Sequence, residues 1–177
     1  SECLVGSEMC IRDRYRRLSY MPEPKKKRFS LTDSLHNLGL LLQSDFENAH
    51  IHFILRSTPS DIYIEGDEKQ LSQVFLNLLK NSMQSLEGKT DGQIEVTLEV
   101  TDKLYIKLLD NGQGIPMELQ EKIFVPFFTT KTEGTGIGLS LCRQIIKRHG
   151  GNLYLQESGQ GRTLFVIEWP IVPFIPK

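Results

Sequence analysis

Residues 67–86, DEKQLSQVFLNLLKNSMQSL, constrain the fold more than any other stretch of this chain. Leu71, Val74, Phe75, Leu78, Leu79, Met83 and Leu86 recur at three- and four-residue steps, the pattern of a helix with one face in a core. Asp67 stands at the N-cap position. On another face Gln73, Asn77, Asn81 and Gln84 fall three or four residues apart, which aligns their side chains. Asn is a mediocre helix former, so two of them one turn apart cost helix stability. Such a face is either a solvated surface or a row of amides that holds a ligand or its metal, and the helix alone leaves both open.

The chain has 177 residues, of which 39% are hydrophobic, enough for one sizeable core and a short accessory element. A net charge of -1 gives no global field toward nucleic acid or an anionic membrane. Lys25-Lys26-Lys27-Arg28 reads as a solvated linker. No apolar run approaches the roughly 18 residues that would span a bilayer. Cys3, Cys10 and Cys142 show neither CxxC nor Cys/His spacing, so a disulfide framework and a zinc site are not indicated and a reducing compartment fits best. The opening SECLVGSEMCIRDR reads like no structured element, and residues 1–14 are expected to be a non-native leader.

Tyr15 to Ser30 is basic and carries Pro22 and Pro24, the marks of a linker. Leu31 to about Ala49 predicts one helix, with Leu31, Leu35, Leu38, Leu42 and Phe46 on its apolar side. Ile51–Arg56 and Asp61–Glu65 predict two short strands around a Thr58-Pro59-Ser60 turn. After the long helix, Ile94, Val96, Leu98 and Val100 alternate, as do Leu104, Ile106 and Leu108; with Thr101-Asp102-Lys103 between them they predict a β-hairpin. Met117 to about Ile123 suggests a short helix, and FVPFFTTKTEGTG a loop with aromatic anchors. Ile137 to Arg148 predicts an amphipathic helix with Lys147, Arg148 and His149 in its last turn and Gly150 placed to cap it. Asn152–Gln156 and Thr163–Trp169 complete the strands around Gly159-Gln160-Gly161. This order predicts an α/β two-layer sandwich, with helices on one face of a mixed, mostly antiparallel sheet.

Two common phosphate motifs fail. Gly88-Lys89-Thr90 would need a glycine where Met83 stands, and Gly134-Thr-Gly136-Ile-Gly138 is spaced GxGxG after a polar loop, not GxGxxG after a strand. What remains is an ordered set: Asn77-x-x-x-Asn81, Asp110-x-Gly112-x-Gly114, Phe124-x-Pro126-Phe127-Phe128 and Gly134-x-Gly136-x-Gly138-Leu139. Each alone is a turn, a core pair or a flexible loop; the combination is specific.

The set resembles the N, G1, F and G2 boxes of the catalytic ATP-binding domain of sensor histidine kinases, within the ATPase family that includes DNA gyrase, the mismatch-repair ATPase and the heat-shock chaperone. The resemblance covers about Phe29 to Pro170. It implies a Bergerat fold with Mg-ATP between the long helix and a lid of roughly Ile115 to Gly136. It divides the chain into residues 15–28, a linker or the stub of a preceding dimerisation helix, and 29–177, the ATP-binding catalytic domain. Asn81 would ligate Mg²⁺ through its amide oxygen, a neutral hard ligand for an ion balanced by phosphates. Asn77 would reach the metal's water shell or a phosphate, and Lys80 and Lys131 would approach phosphates, Lys131 from the lid at the γ-phosphate. Asp110 would accept from the adenine amino group, with Gly112 and Gly114 allowing close backbone approach. Ile115, Phe124 and Leu139 line the same path; Phe124 and Phe127 would pin the lid. Gly134, Thr135, Gly136, Ile137 and Gly138 lead phosphates to a helix N-terminus. Thr163 matches a position that touches adenine.

Hydrolytic relatives carry a Glu where this chain has Asn77, which cannot act as a base; that favours phosphoryl transfer to a protein. Ser82 stands where Ala is usual. None of His36, His50, His52 and His149 has the setting of a phosphoacceptor, so the acceptor is expected on an upstream dimerisation domain outside this chain. The implied activity is histidine protein kinase, feeding a response regulator from a cytoplasmic, homodimeric parent, with an inner-membrane anchor of that parent left open. The alternatives are a serine kinase of the anti-sigma-factor type and a non-catalytic nucleotide-binding module.

Overall fold

A computed structural model describes residues 12–13, 15–16, 19–131, 134 and 136–170. The expected leader, apart from residues 12 and 13, lies outside the described residues. The elements run β1 (Lys27–Ser30), α1 (Leu31–Leu41), α2 (Gln43–Asn48), β2 (Ile51–Thr58), β3 (Tyr63–Gly66) and α3 (Glu68–Ser85). They continue with β4 (Gly92–Val100), β5 (Leu104–Asp110), α4 (Met117–Gln120), α5 (Gly138–Arg148), β6 (Asn152–Gly159) and β7 (Arg162–Trp169).

Five strands form one sheet in the order β2-β4-β5-β7-β6, with β2 parallel to β4 and all other neighbours antiparallel. The expected hairpin is β4–β5, and its alternation places Ile94, Val96 and Leu98 in the core. Against that face lie Leu71, Val74, Phe75, Leu78 and Leu79 of α3 and Ile145 and Ile146 of α5, so the molecule is the expected mixed sheet under a helical layer. Asp67 caps α3 by accepting from Gln70 N–H at 3.2 Å.

Three local expectations differ. The helix foreseen over 31–49 breaks at Leu42 into α1 and α2. The break lets Leu42 and Phe46 both reach the core, where Phe46 stacks on Phe53 at 5.1 Å. Strands β2 and β3 do not pair with each other: β2 joins β4, and β3 forms a separate antiparallel pair with β1. Finally, Lys27–Ser30, inside the stretch expected as linker, is strand β1. Its approach is fastened to the body: Lys25 N–H donates to Asp67 Oδ2 at 2.8 Å, Gln70 Nε2 to Pro22 O at 3.1 Å and Arg148 to Met21 O at 2.9 Å. Those bonds run through backbone groups, which side-chain composition does not display.

His149 ties the two helices together. Asp67 N–H donates to its Nε2 at 3.0 Å, so the proton sits on Nδ1, which donates to Ile145 O at 2.8 Å. The ring is buried beside Trp169, with centroids 5.5 Å apart. His149→Phe keeps the ring but orphans the Asp67 N–H next to the α3 cap, at a cost of about 1–3 kcal/mol. Urea denaturation should show that loss; an unchanged midpoint would mean water replaces the bond. Among the described residues no helix is long and apolar enough to cross a membrane.

Candidate functional site

Helix α3 presents Asn77, Lys80, Asn81 and Gln84 to a cavity of about 910 Å³. The polar row that cost helix propensity therefore faces a cleft, within the size range of small-molecule sites. Asp110, Gly114, Ile115, Lys131, Gly134, Gly136, Gly138, Leu139 and Thr163 line the same cavity. Gly112, Phe124 and Ile137 are not among its lining residues, and Thr135 lies outside the described residues.

Asp110 ends β5, opposite Thr163 of β7, and is 2% exposed. Its Oδ1 accepts from Gly112 N–H at 3.0 Å and from the Ser85 hydroxyl at 3.4 Å, and the Ser82 hydroxyl also donates to the carboxylate. Burial raises its pKa despite these bonds, which pull the other way. The glycines of this turn have a different cause from the one expected. A Cβ on Gly112 would lie 2.0 Å from Ser85 Oγ, and one on Gly114, whose φ is 79°, would lie 2.0 Å from the Gly159 carbonyl oxygen. The space is taken by the protein itself, not reserved for a base alone.

The Asp110 end of the cavity holds a second network. Ile115 N–H donates to Ser158 Oγ at 2.8 Å, Ser158 Oγ pairs with Thr163 Oγ1 at 3.1 Å, and Gln120 Nε2 donates to Ile115 O at 2.9 Å. Sequence inspection missed Ser82, Ser85, Gln120 and Ser158. The first two had a visible signal, because they lie three apart on α3; Ser158 had none, since its partner Ile115 is 43 residues away.

At the other end, Lys131 Nζ donates to Asn81 Oδ1 at 3.2 Å and to Gln84 Oε1. Desolvation lowers its pKa. Gly138 begins α5 directly against Asn77, whose Oδ1 would be 2.7 Å from a Cβ there. No side chain caps this helix among the described residues, and Gly136 and Gly138 at its start line the cavity.

Phe124 packs edge-to-face on Phe165 at 6.3 Å, with the Arg143 guanidinium 4.6 Å from its ring centre. Phe127 does not share that role: its side chain is 41% exposed, and it contributes backbone instead, accepting a left-handed φ of 67° and donating to Gly136 O at 2.8 Å. Phe128 lines the cavity in its place. Cys142 takes no part; burial pushes its thiol up to about 12.

A deep cleft between a polar helix face and a glycine-edged segment, with a buried carboxylate at one end and cationic and amide groups at the other, defines a nucleotide-binding domain. Residues 66–173 match the family described as histidine kinase-, DNA gyrase B- and HSP90-like ATPases, and the chain belongs to it as an ATP-binding catalytic domain of the histidine kinase type. Sporulation kinase A of Bacillus subtilis (strain 168) is 35% identical over 146 residues, 82% of this chain and 24% of that protein. The signal transduction histidine-protein kinase AtoS of Escherichia coli (strain K12) is 36% identical over 145 residues, 81% of this chain and 24% of its own length. The chain thus spans about a quarter of these relatives. The nucleotide-free catalytic domain of histidine kinase ThkA superposes with a TM-score of 0.75 at 33% identity, over 84% of this chain and 99% of that one. A further neighbour is ThkA in complex with the response regulator protein TrrA, with a TM-score of 0.73 at 28% identity, over 92% of this chain and 47% of that one.

Proposed function

We propose that the domain transfers the γ-phosphoryl group of Mg-ATP to a histidine on a separate dimerisation domain of a homodimeric sensor kinase, which passes it to a response regulator in the cytoplasm. One observation carries this reading. Among the described residues that line the cavity, Asp110 is the only carboxylate, and its Oδ1 is engaged by Gly112. The α3 face carries amides and an amine, so no side chain there is a base for activating water. Catalysis then rests on holding the nucleotide and stabilising its charge while a protein nucleophile attacks.

The donor set suits Mg²⁺. Asn81 Oδ1 and Gln84 Oε1 already converge on a cation, the Lys131 ammonium. Among the described residues no group of three or more His, Cys, Asp or Glu could hold a metal alone, so the ion would arrive with the phosphates. In this reading Asn81 would hold the ion, Asn77 would orient its hydration shell or a phosphate, and Lys80 and Lys131 would meet phosphate oxygens. When bound, the ion would balance phosphate charge. Asn81→Ala should weaken Mg-ATP binding about tenfold while barely changing metal-free ATP binding; calorimetry with and without EDTA separates the two. Equal losses under both conditions would make Asn81 merely structural.

The four histidines support a separate acceptor. His36 is exposed on α1, His50 lies just before β2 and His52 at its start, and His149 is buried in its helix-tying role. Incubated alone with γ-labelled ATP, the chain should take up no acid-labile label and release phosphate only very slowly. Stable incorporation at His36 would overturn the reading.

A further inference from the structure

The Asp110 carboxylate is held from α3, the same helix that carries Asn77 and Asn81. Ser82 and Ser85 both donate to it, and Gly112 N–H fixes Oδ1 at 3.0 Å. Ser85 clasps the following turn as well: its Oγ would lie 2.0 Å from a Cβ on Gly112, and its carbonyl accepts from Gln113 N–H at 3.3 Å. The Ser85 Oγ–Oδ1 separation of 3.4 Å is long for a hydroxyl–carboxylate bond, so Ser85 acts as much by shape as by donation. Around the carboxylate, β4 contributes Ile94, β7 contributes Thr163 and α3 contributes Ser82 and Ser85, none of which carries a charge. Only neutral donors hold this buried carboxyl group.

We propose that Ser82 and Ser85 are positioning residues for purine choice: with Gly112 and Ser85 on Oδ1 and Ser82 donating to the same carboxylate, the group is held in one rotamer that offers an acceptor to the base. The inference deepens the ATP-binding reading and rests on it. Selectivity for a 6-amino purine requires an ionised carboxylate in one fixed rotamer. A protonated or swinging carboxyl can donate to a 6-oxo purine, and removing the serine donors permits both. The signal is distinctive, because the same two hydroxyls would be idle on a helix whose Asp partner lay elsewhere.

The test uses the full chain carrying Ser85→Ala and Ser82→Ala/Ser85→Ala. Calorimetry with ATP and GTP measures the affinity ratio, and carbon-detected NMR of the nucleotide-free protein follows the Asp110 carboxyl through its titration. The expected result is a fall in the ATP-to-GTP affinity ratio of about tenfold in the double variant, from the loss of both hydroxyls around the carboxylate, with the carboxyl titrating at higher pH than in the wild type. Ser85→Ala should move both readouts part of the way, and serves alone if the double variant melts early. An unchanged ratio and an unchanged carboxyl titration in folded variants would overturn the positioning role while wild-type ATP binding stands. A wild type that binds no ATP in the same cell would overturn both readings at once.

Discussion

Gly114→Ala is expected to weaken ATP binding tenfold or more and to lower the melting temperature. Two penalties coincide at this residue. Its φ of 79° lies in the left-handed region, where a side chain costs roughly 1–2 kcal/mol. The added Cβ would also sit 2.0 Å from the Gly159 carbonyl oxygen, which is backbone and has no rotamer through which to retreat. The turn after β5 or the β6–β7 turn must move, and both line the cavity beside Asp110 and Thr163. Tenfold corresponds to about 1.4 kcal/mol, less than strain and overlap together. Gly88→Ala is the control: Gly88 has the same φ of 79°, but nothing lies within 4 Å of its Cβ position. It should lose the strain alone and bind ATP normally. If the two variants melt and bind alike, the close approach has no energetic weight and the wall of the cavity is softer than its geometry implies.

Asp110→Asn should reduce ATP affinity by about ten- to a hundredfold, the range of a buried charge-assisted hydrogen bond worth roughly 1.5–3 kcal/mol. The structure also gives the direction of the change in selectivity. Gly112 N–H holds the inner oxygen at 3.0 Å, so an asparagine would keep its oxygen there and turn its NH₂ toward the base. That donor opposes the adenine amino group and suits a 6-oxo purine, so GTP or ITP should gain as ATP loses. Stability should move the other way. Burial raises the Asp110 pKa above its unfolded value, so the folded chain binds that proton more tightly. The stabilising contribution is therefore fully present below the unfolded pKa, near the ordinary carboxylate value of 3.8, and is lost as pH rises through the folded pKa. Above the folded pKa the wild type carries an ionised, desolvated group that the variant lacks. Nucleotide-free Asp110→Asn should consequently melt no lower than wild type at pH 7, with any advantage vanishing toward pH 4. A folded variant that retains wild-type ATP affinity and selectivity would remove Asp110 from base recognition.

The sequence by itself determined whatever depends on local periodicity. The α3 core stripe, the Asp67 cap, the β4–β5 alternation and the Gly150 stop after α5 are legible because each is specified within one or two turns or one strand pair. The ordered Asn, Asp-Gly, Phe and Gly motifs were legible for the same reason: each is short and contiguous, and their order named the family. Tertiary structure alone decided what depends on partners distant in sequence. Strand β2 pairs with β4 across more than thirty residues instead of with its neighbour β3, because the parallel register buries Ile51 and extends the sheet. Ser158 reaches Ile115, His149 reaches Asp67, and Lys131 reaches Asn81 and Gln84 through folds of the chain that no residue pattern announces. Phe124 and Phe127 look equivalent in sequence, yet one ring packs on Phe165 while the other is turned outward by a left-handed backbone. Side-chain hydrophobicity says that a residue can be buried; only the packed fold, where each site admits one ring or one hydroxyl, says which residue is.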